Sequence, residues 1–173
     1  MAEGMCYPGC ALVPMDRFAR WPEGVEAAQP EYVGEECRRD QALQRAFSVA
    51  SNIYRIRWTV DARRLKTTDR EAVSPTFELP FGSNMQFKMV MQPRKVEDAR
   101  GGASFKKARG KGTVKLRILT SVDASASPTV TFRIAVGSCT KQEKPRGPVR
   151  HDFSEKPICG LPVGRDEWDF TKA

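Results

Sequence analysis

The chain has 173 residues, 40% of them apolar and 29% charged, with a formal net charge of +8. A chain of that length buries a sizeable core without metals or disulfides, and it suits one domain plus an extension. No apolar run approaches the roughly 20 residues that span a bilayer, and residues 1–10 lack the charged-then-apolar layout of a secretory signal, so an intracellular, cytoplasmic setting is expected.

In chain order, residues 1–34 carry Pro8, Pro14, Pro22 and Pro30, each of which interrupts a helix. This stretch reads as an extended arm, laid on a surface by Met15, Phe18 and Trp21. Residues 35–50 contain no Gly or Pro. Leu43, Ala46, Phe47 and Ala50 fall at i, i+3, i+4, i+7, the spacing of a short amphipathic helix. The expectation is an N-terminal unit, 1–50, of arm plus helix, followed by a strand-rich unit, 51–173.

From Ser51 the period becomes two. Tyr54, Ile56, Trp58 and Val60 alternate with Ile53, Arg55, Arg57 and Thr59, which predicts a half-buried strand with its aromatic face inward. Ser74-Pro75 opens a short strand over 76–79, and residues 80–84 read as a turn. Met85, Phe87, Met89 and Met91 share one face of the next strand, which Pro93 ends. A Gly-rich basic connection, 94–112, leads to a strand over 113–120 with Val114, Leu116 and Ile118 on one face. Another follows over 129–136, with Val130, Phe132, Ile134 and Val136 inward. Successive strands without intervening helices predict an all-β, antiparallel sandwich of seven or eight strands.

The charge is uneven. Residues 1–50 hold five Lys/Arg against eight Asp/Glu, whereas 94–117 hold nine Lys/Arg against Glu97 and Asp98. A basic stretch attracts acidic protein, nucleic acid or anionic lipid. Lys106, Lys107, Arg109, Lys111, Lys115 and Arg117 are the candidate anion-binding residues, and Phe105 is the one aromatic among them available to stack on a base. A solvated loop whose charge protects a sheet edge is the plainer alternative.

Catalytic chemistry finds little to use. His151 is the single histidine, so a nucleophile–histidine pair has to employ it; Asp152, next in sequence, points the other way on a strand. The five cysteines (Cys6, Cys10, Cys37, Cys139, Cys159) are odd in number and irregular in spacing, which points to reduced thiols. They form no paired knuckles for zinc. Gly110-Lys111-Gly112-Thr113 lacks the earlier glycine of a phosphate loop. No catalytic residue, metal or cofactor is called for, and a non-enzyme is expected.

Taken in order, these segments resemble the MATH (meprin and TRAF homology) domain over roughly residues 52–170. Arg57-Trp58-Thr59-Val60 matches its opening strand, and Ser74-Pro75-Thr76-Phe77 the start of its second. Residues 87–93 match its proline-ended strand, and 112–121 and 129–137 the two longer strands. His151-Asp152-Phe153 and Cys159-Gly160-Leu161 match its closing motifs, with Cys159 and Leu161 standing where the family places aromatics. The resemblance implies an interaction module across which a peptide lies extended, on a surface formed by Phe132, His151, Cys159, Gly160 and Leu161. It also implies a closing strand after Ala173, so that either the chain continues beyond this sequence or the strand's place is taken by the N-terminal arm or by a partner's strand. A protein partner or peptide is therefore the expected ligand. A structural subunit of a larger assembly and a nucleic-acid or anionic-surface binder through 94–117 are the alternatives.

Overall fold

A computed structural model of the chain describes residues 9–15, 43–81, 83–96, 103–121, 128–138 and 143–172. Among these residues, antiparallel strands dominate. They are β1 (Gly9–Met15), β2 (Leu43–Ser48), β3 (Ile53–Thr59), β4 (Ala72–Val73), β5 (Phe77–Phe81), β6 (Ser83–Pro93), β7 (Lys111–Ile118), β8 (Thr129–Gly137), β9 (Arg146–Asp152), β10 (Ile158–Gly160) and β11 (Glu167–Asp169). A 3₁₀ turn (Ala62–Lys66) and a four-residue helix α1 (Phe105–Ala108) complete the set.

The strands form two sheets. Sheet A runs β2-β3-β1-β8-β9. Sheet B runs β10-β7-β6-β4, with β11 also beside β7 and β5 also beside β6. One hydrophobic cluster draws on both sheets. Ile56, Trp58, Phe132 and Ile134 come from sheet A, and Leu79, Phe87, Met89, Leu116 and Trp168 from sheet B. Alternation produces it: each of these side chains lies on the inward side of its strand, and burying each contributes about 1.5–3 kcal/mol.

The strands expected from period-two patterning over 53–60, 76–79, 85–91, 113–120 and 129–136 correspond to β3, β5, β6, β7 and β8. The Ser74-Pro75 motif has a physical use. Ser74 is buried; its Oγ accepts from the N–H of Met89 at 2.9 Å and donates to the carbonyl of Pro75 at 2.8 Å, so it seams the start of β5 to β6.

Two expectations for the N-terminal fifty residues are corrected. The described part of the predicted helix, 43–48, is strand β2. Leu43, Arg45 and Phe47 pair with Trp58, Ile56 and Tyr54, and pairing with β3 outweighs helix propensity, a weak prior. The arm is not merely laid on a surface, because β1 pairs with β3 on one side and β8 on the other. No strand is missing between β3 and β8, and a partner's strand has no unpaired edge to join there. Both β1 and β2 therefore belong to the same sheet as β3. Phe18, Trp21 and residues 35–42 lie outside the described residues.

The sheet edges are tied together by arginines. At one side Arg45 of β2 donates through Nη1 to the carbonyl of Glu78 in β5 at 2.9 Å. At the other, Arg146 of β9 donates to the carbonyls of Arg165 and Glu167, at 3.2 and 2.6 Å, beside β11.

Candidate functional site

The surface implied by the family resemblance does not assemble. Phe132 has 0% exposure and Leu161 is buried, both within the core cluster; neither has surface to offer a peptide. Phe132 is inward because it alternates with Thr131 and Arg133 on β8. Cys159 is half-buried opposite Leu116, and its Sγ donates to the carbonyl of Gly160 at 3.4 Å. Burial pushes its thiol pKa up, and the backbone hydrogen bond opposes that rise. His151 sits opposite Val130. Its Nε2 is 2.9 Å from the carbonyl of Lys156, and its ring meets Phe153 edge-on at 4.8 Å between centroids. The imidazole thus braces the turn from β9 to β10.

The basic residues divide into two groups. Lys106, Lys107 and Arg109 belong to α1 and its C-terminal cap. Ser104 caps the helix, its Oγ accepting from the N–H of Lys107 at 3.3 Å, and Arg109 ends it in the left-handed conformation. Phe105 is 0% exposed and plugs the core, so it is not available for stacking on a base. Its N–H donates to the carbonyl of Asp69, and that of Lys106 to Thr67, which seats α1 beside the 3₁₀ turn.

Lys111, Lys115 and Arg117 occupy the outer face of sheet B, alternating with the inward Val114 and Leu116. The register adds Lys88, which stands directly opposite Arg117. Lys115 stands opposite Gly160 on one side and Val90 on the other, with Val73 beyond. A Cβ on Gly160 would come within 3.0 Å of the Lys115 stem, so the absence of a side chain lets that stem lie close. Lys115 Nζ donates to Gln92 Oε1 at 3.0 Å. Exposed Val73 and half-buried Ile158, the latter opposite Arg117, put aliphatic surface next to these cations.

Charge changes sign along this face. Glu167 and Asp169 of β11 stand opposite Thr113 and Lys111. Glu167 pairs with Arg94 at 3.5 Å and Asp169 with Lys172 at 3.8 Å; at the other end Lys88 faces Arg117, with Glu78, opposite Gln86, as the neighbouring acid. Lys88 is the residue that sequence reading missed. Alternation with Phe87 and Met89 points it outward, but only the β6–β7 register sets it against Arg117.

The chain was compared with protein-family models, curated proteins and solved structures. None matches. Among the described residues no cluster of His, Cys, Asp or Glu suits a metal ion, and no helix is long and apolar enough to cross a membrane.

Proposed function

We propose that this chain is a non-catalytic protein-interaction module, a MATH-like β-sandwich, that docks an acidic protein segment on the outer face of sheet B. The observation that carries this reading is the cross-strand pair of Lys88 and Arg117, with Lys115 beside them. Like charges directly opposite on a sheet are destabilising, so folding alone does not reward the arrangement. An anionic partner does, because it turns the repulsion into attraction. Val73 and Ile158 beside the cations suit a polypeptide, whose side chains supply apolar contacts next to carboxylates. The burial of Phe105 takes away the aromatic on which the nucleic-acid reading relied.

The test is a pull-down with the full chain, with and without nuclease, at low and moderate salt, repeated with Lys88→Gln/Arg117→Gln. A nuclease-resistant protein partner lost in the double variant supports the reading. Material released by nuclease, or retained equally by the variant, refutes it.

A further inference from the structure

Lys88 and Arg117 are register partners on the outer face of sheet B. Partners on an antiparallel pair have Cβ atoms about 4.5–5.5 Å apart, so an ammonium and a guanidinium can reach one ligand group from two sides. None of the ion pairs between described residues includes either of them.

The neighbours leave this pair to itself. Lys115 lies two residues along β7, but its ammonium donates to Gln92 Oε1 at 3.0 Å, away from Arg117. Glu78 stands opposite Gln86, which puts it diagonal to Lys88 and a full strand away from Arg117. Between the partners Val73–Val90 and Phe77–Phe87, Lys88 faces the exposed, uncharged Pro75 and Thr76. Beyond Arg117 comes Ile158. The centre of the face is therefore all donor, since neither cationic head has an acceptor of its own.

Charge and shape select the ligand. A carboxylate carries one negative charge and neutralises one of the two cations. A phosphomonoester carries about −1.5 to −2 at neutral pH and has three strong acceptor oxygens. Two of its oxygens suit the planar fork of Arg117, and the third suits the point charge of Lys88. A nucleic-acid phosphate is a diester with a single charge, so it matches the pair no better than a carboxylate does. Exposed Val73 and half-buried Ile158 flank the cations, which suits the side chains on either side of a modified residue in a polypeptide.

We infer that this face takes a phosphorylated side chain of an extended polypeptide, with the phosphoryl group held between Lys88 and Arg117. The inference rests on the docking of an acidic segment proposed above and names the group that such a segment brings. Docking is then governed by whether the partner is phosphorylated.

The full chain is titrated with three labelled peptides that differ at one central position, phosphoserine, glutamate or serine, with valine two residues to either side. The phosphoserine peptide is expected to bind about tenfold more tightly than the glutamate peptide at neutral pH, the effect of one more charge-assisted hydrogen bond. That preference is expected to shrink toward about pH 5, because the phosphoryl group takes up its second proton near pH 6 while Lys and Arg stay charged. It is expected to vanish in Lys88→Gln/Arg117→Gln, and to be intermediate in Arg117→Lys, which keeps the charge without the fork. The double variant relieves a repulsion, so circular dichroism is expected to show an unchanged fold. Equal binding of the phosphoserine and glutamate peptides overturns the inference and leaves the docking of an acidic segment standing. A phosphoserine preference that survives the double variant overturns it as well. Tighter binding of vesicles containing a phosphatidylinositol phosphate, through the same two residues, overturns it in favour of a lipid headgroup. Failure of all three peptides to bind overturns it too, and the pull-down then judges the acidic-segment reading on its own.

Discussion

The guanidinium of Arg146 lies over the indole of Trp168, 3.6 Å from the ring centroid. The two residues belong to strands of different sheets, β9 and β11. Trp168 is 1% exposed. The same guanidinium donates to the carbonyls of Arg165 and Glu167 and pairs with Glu143 at 3.0 Å. Arg146 therefore acts as a clasp at one side of the core, as Arg45 does at the other. Gly112, the register partner of Trp168, has no room for a side chain, because a Cβ there would meet the carbonyl of Gln92 and the ring of Phe170.

Replacing Arg146 tests the clasp. Arg146→Ala removes the stacked cation and charge-assisted hydrogen bonds together, and is expected to cost about 2–3 kcal/mol. Arg146→Lys keeps the charge but loses the planar fork, and is expected to cost about half as much. Urea denaturation of the three proteins measures both values. Equal midpoints for Arg146→Ala and the parent would show that the clasp contributes nothing.

The C-terminal turn has a pH signature. Asp169 Oδ1 accepts from the Thr171 hydroxyl at 2.5 Å and from the Thr171 N–H at 3.1 Å. The hydroxyl bond is the main cause that lowers its carboxyl pKa below 3.8, helped by the backbone bond and by Lys172 and Lys111, against a smaller effect of burial. A depressed folded-state pKa stabilises the protein above the unfolded value, and that contribution is lost as pH falls through the folded one. Thr171→Val is expected to move the Asp169 titration up toward 3.8, followed by carboxyl NMR. It is also expected to reduce stability at neutral pH, with the difference from the parent narrowing as pH falls below 3.8 through the folded-state value.

Cys159 is a thiol held in its neutral form by burial. Its raised folded-state pKa means that stability is complete below 9.0 and falls as pH rises from there through the folded value. The thiolate is the reacting species, so iodoacetamide is expected to modify Cys159 at least about tenfold more slowly in the folded chain than in urea, read by mass spectrometry of its peptide. Equal rates would place the thiol in solvent.

Much of the strand order was legible because alternation is a local signal. Tyr54, Ile56, Trp58 and Phe87, Met89, Met91 announce β3 and β6 unaided. β2 misled because Leu43 and Phe47, four apart, share a face in a helix and in a strand alike. Only the partner strand decides between the two. β1 was hidden by Pro14, a residue that argues against a central strand, yet it stands opposite Phe132 in the middle of sheet A. The candidate site divides in the same way. Lys115 and Arg117 were visible as charges on a strand, whereas Lys88 needed the register. Phe132 shows two signals in conflict: the alternation of β8 turned it inward, the family resemblance placed it on the surface, and the alternation prevailed.

The placement of β1 carries a prediction of its own. A chain lacking residues 1–15 loses the strand between β3 and β8, and both are left with unpaired N–H and C=O groups along their length. Such edges recruit other chains. Deletion of 1–15 is expected to give aggregated or unfolded protein by size-exclusion chromatography and circular dichroism. A monomer with undiminished strand content would mean that sheet A closes without β1.

The cross-strand pair of Lys88 and Arg117 allows function and stability to be separated in one variant. If the pair existed for the fold alone, reversing one charge would improve the protein and cost nothing else. Lys88→Glu places a carboxylate opposite Arg117, converting repulsion into attraction, and is expected to stabilise the chain by about 0.5 kcal/mol in urea denaturation. The same change removes a cation from the outer face of sheet B and adds an anion, so capture of an acidic partner is expected to weaken at least about tenfold. Raising the salt concentration is expected to shrink both effects, because exposed charges are screened. A variant that gains stability and keeps its partner would move the docking site away from this face. A variant that gains stability and loses its partner would show that the repulsive pair is retained for binding.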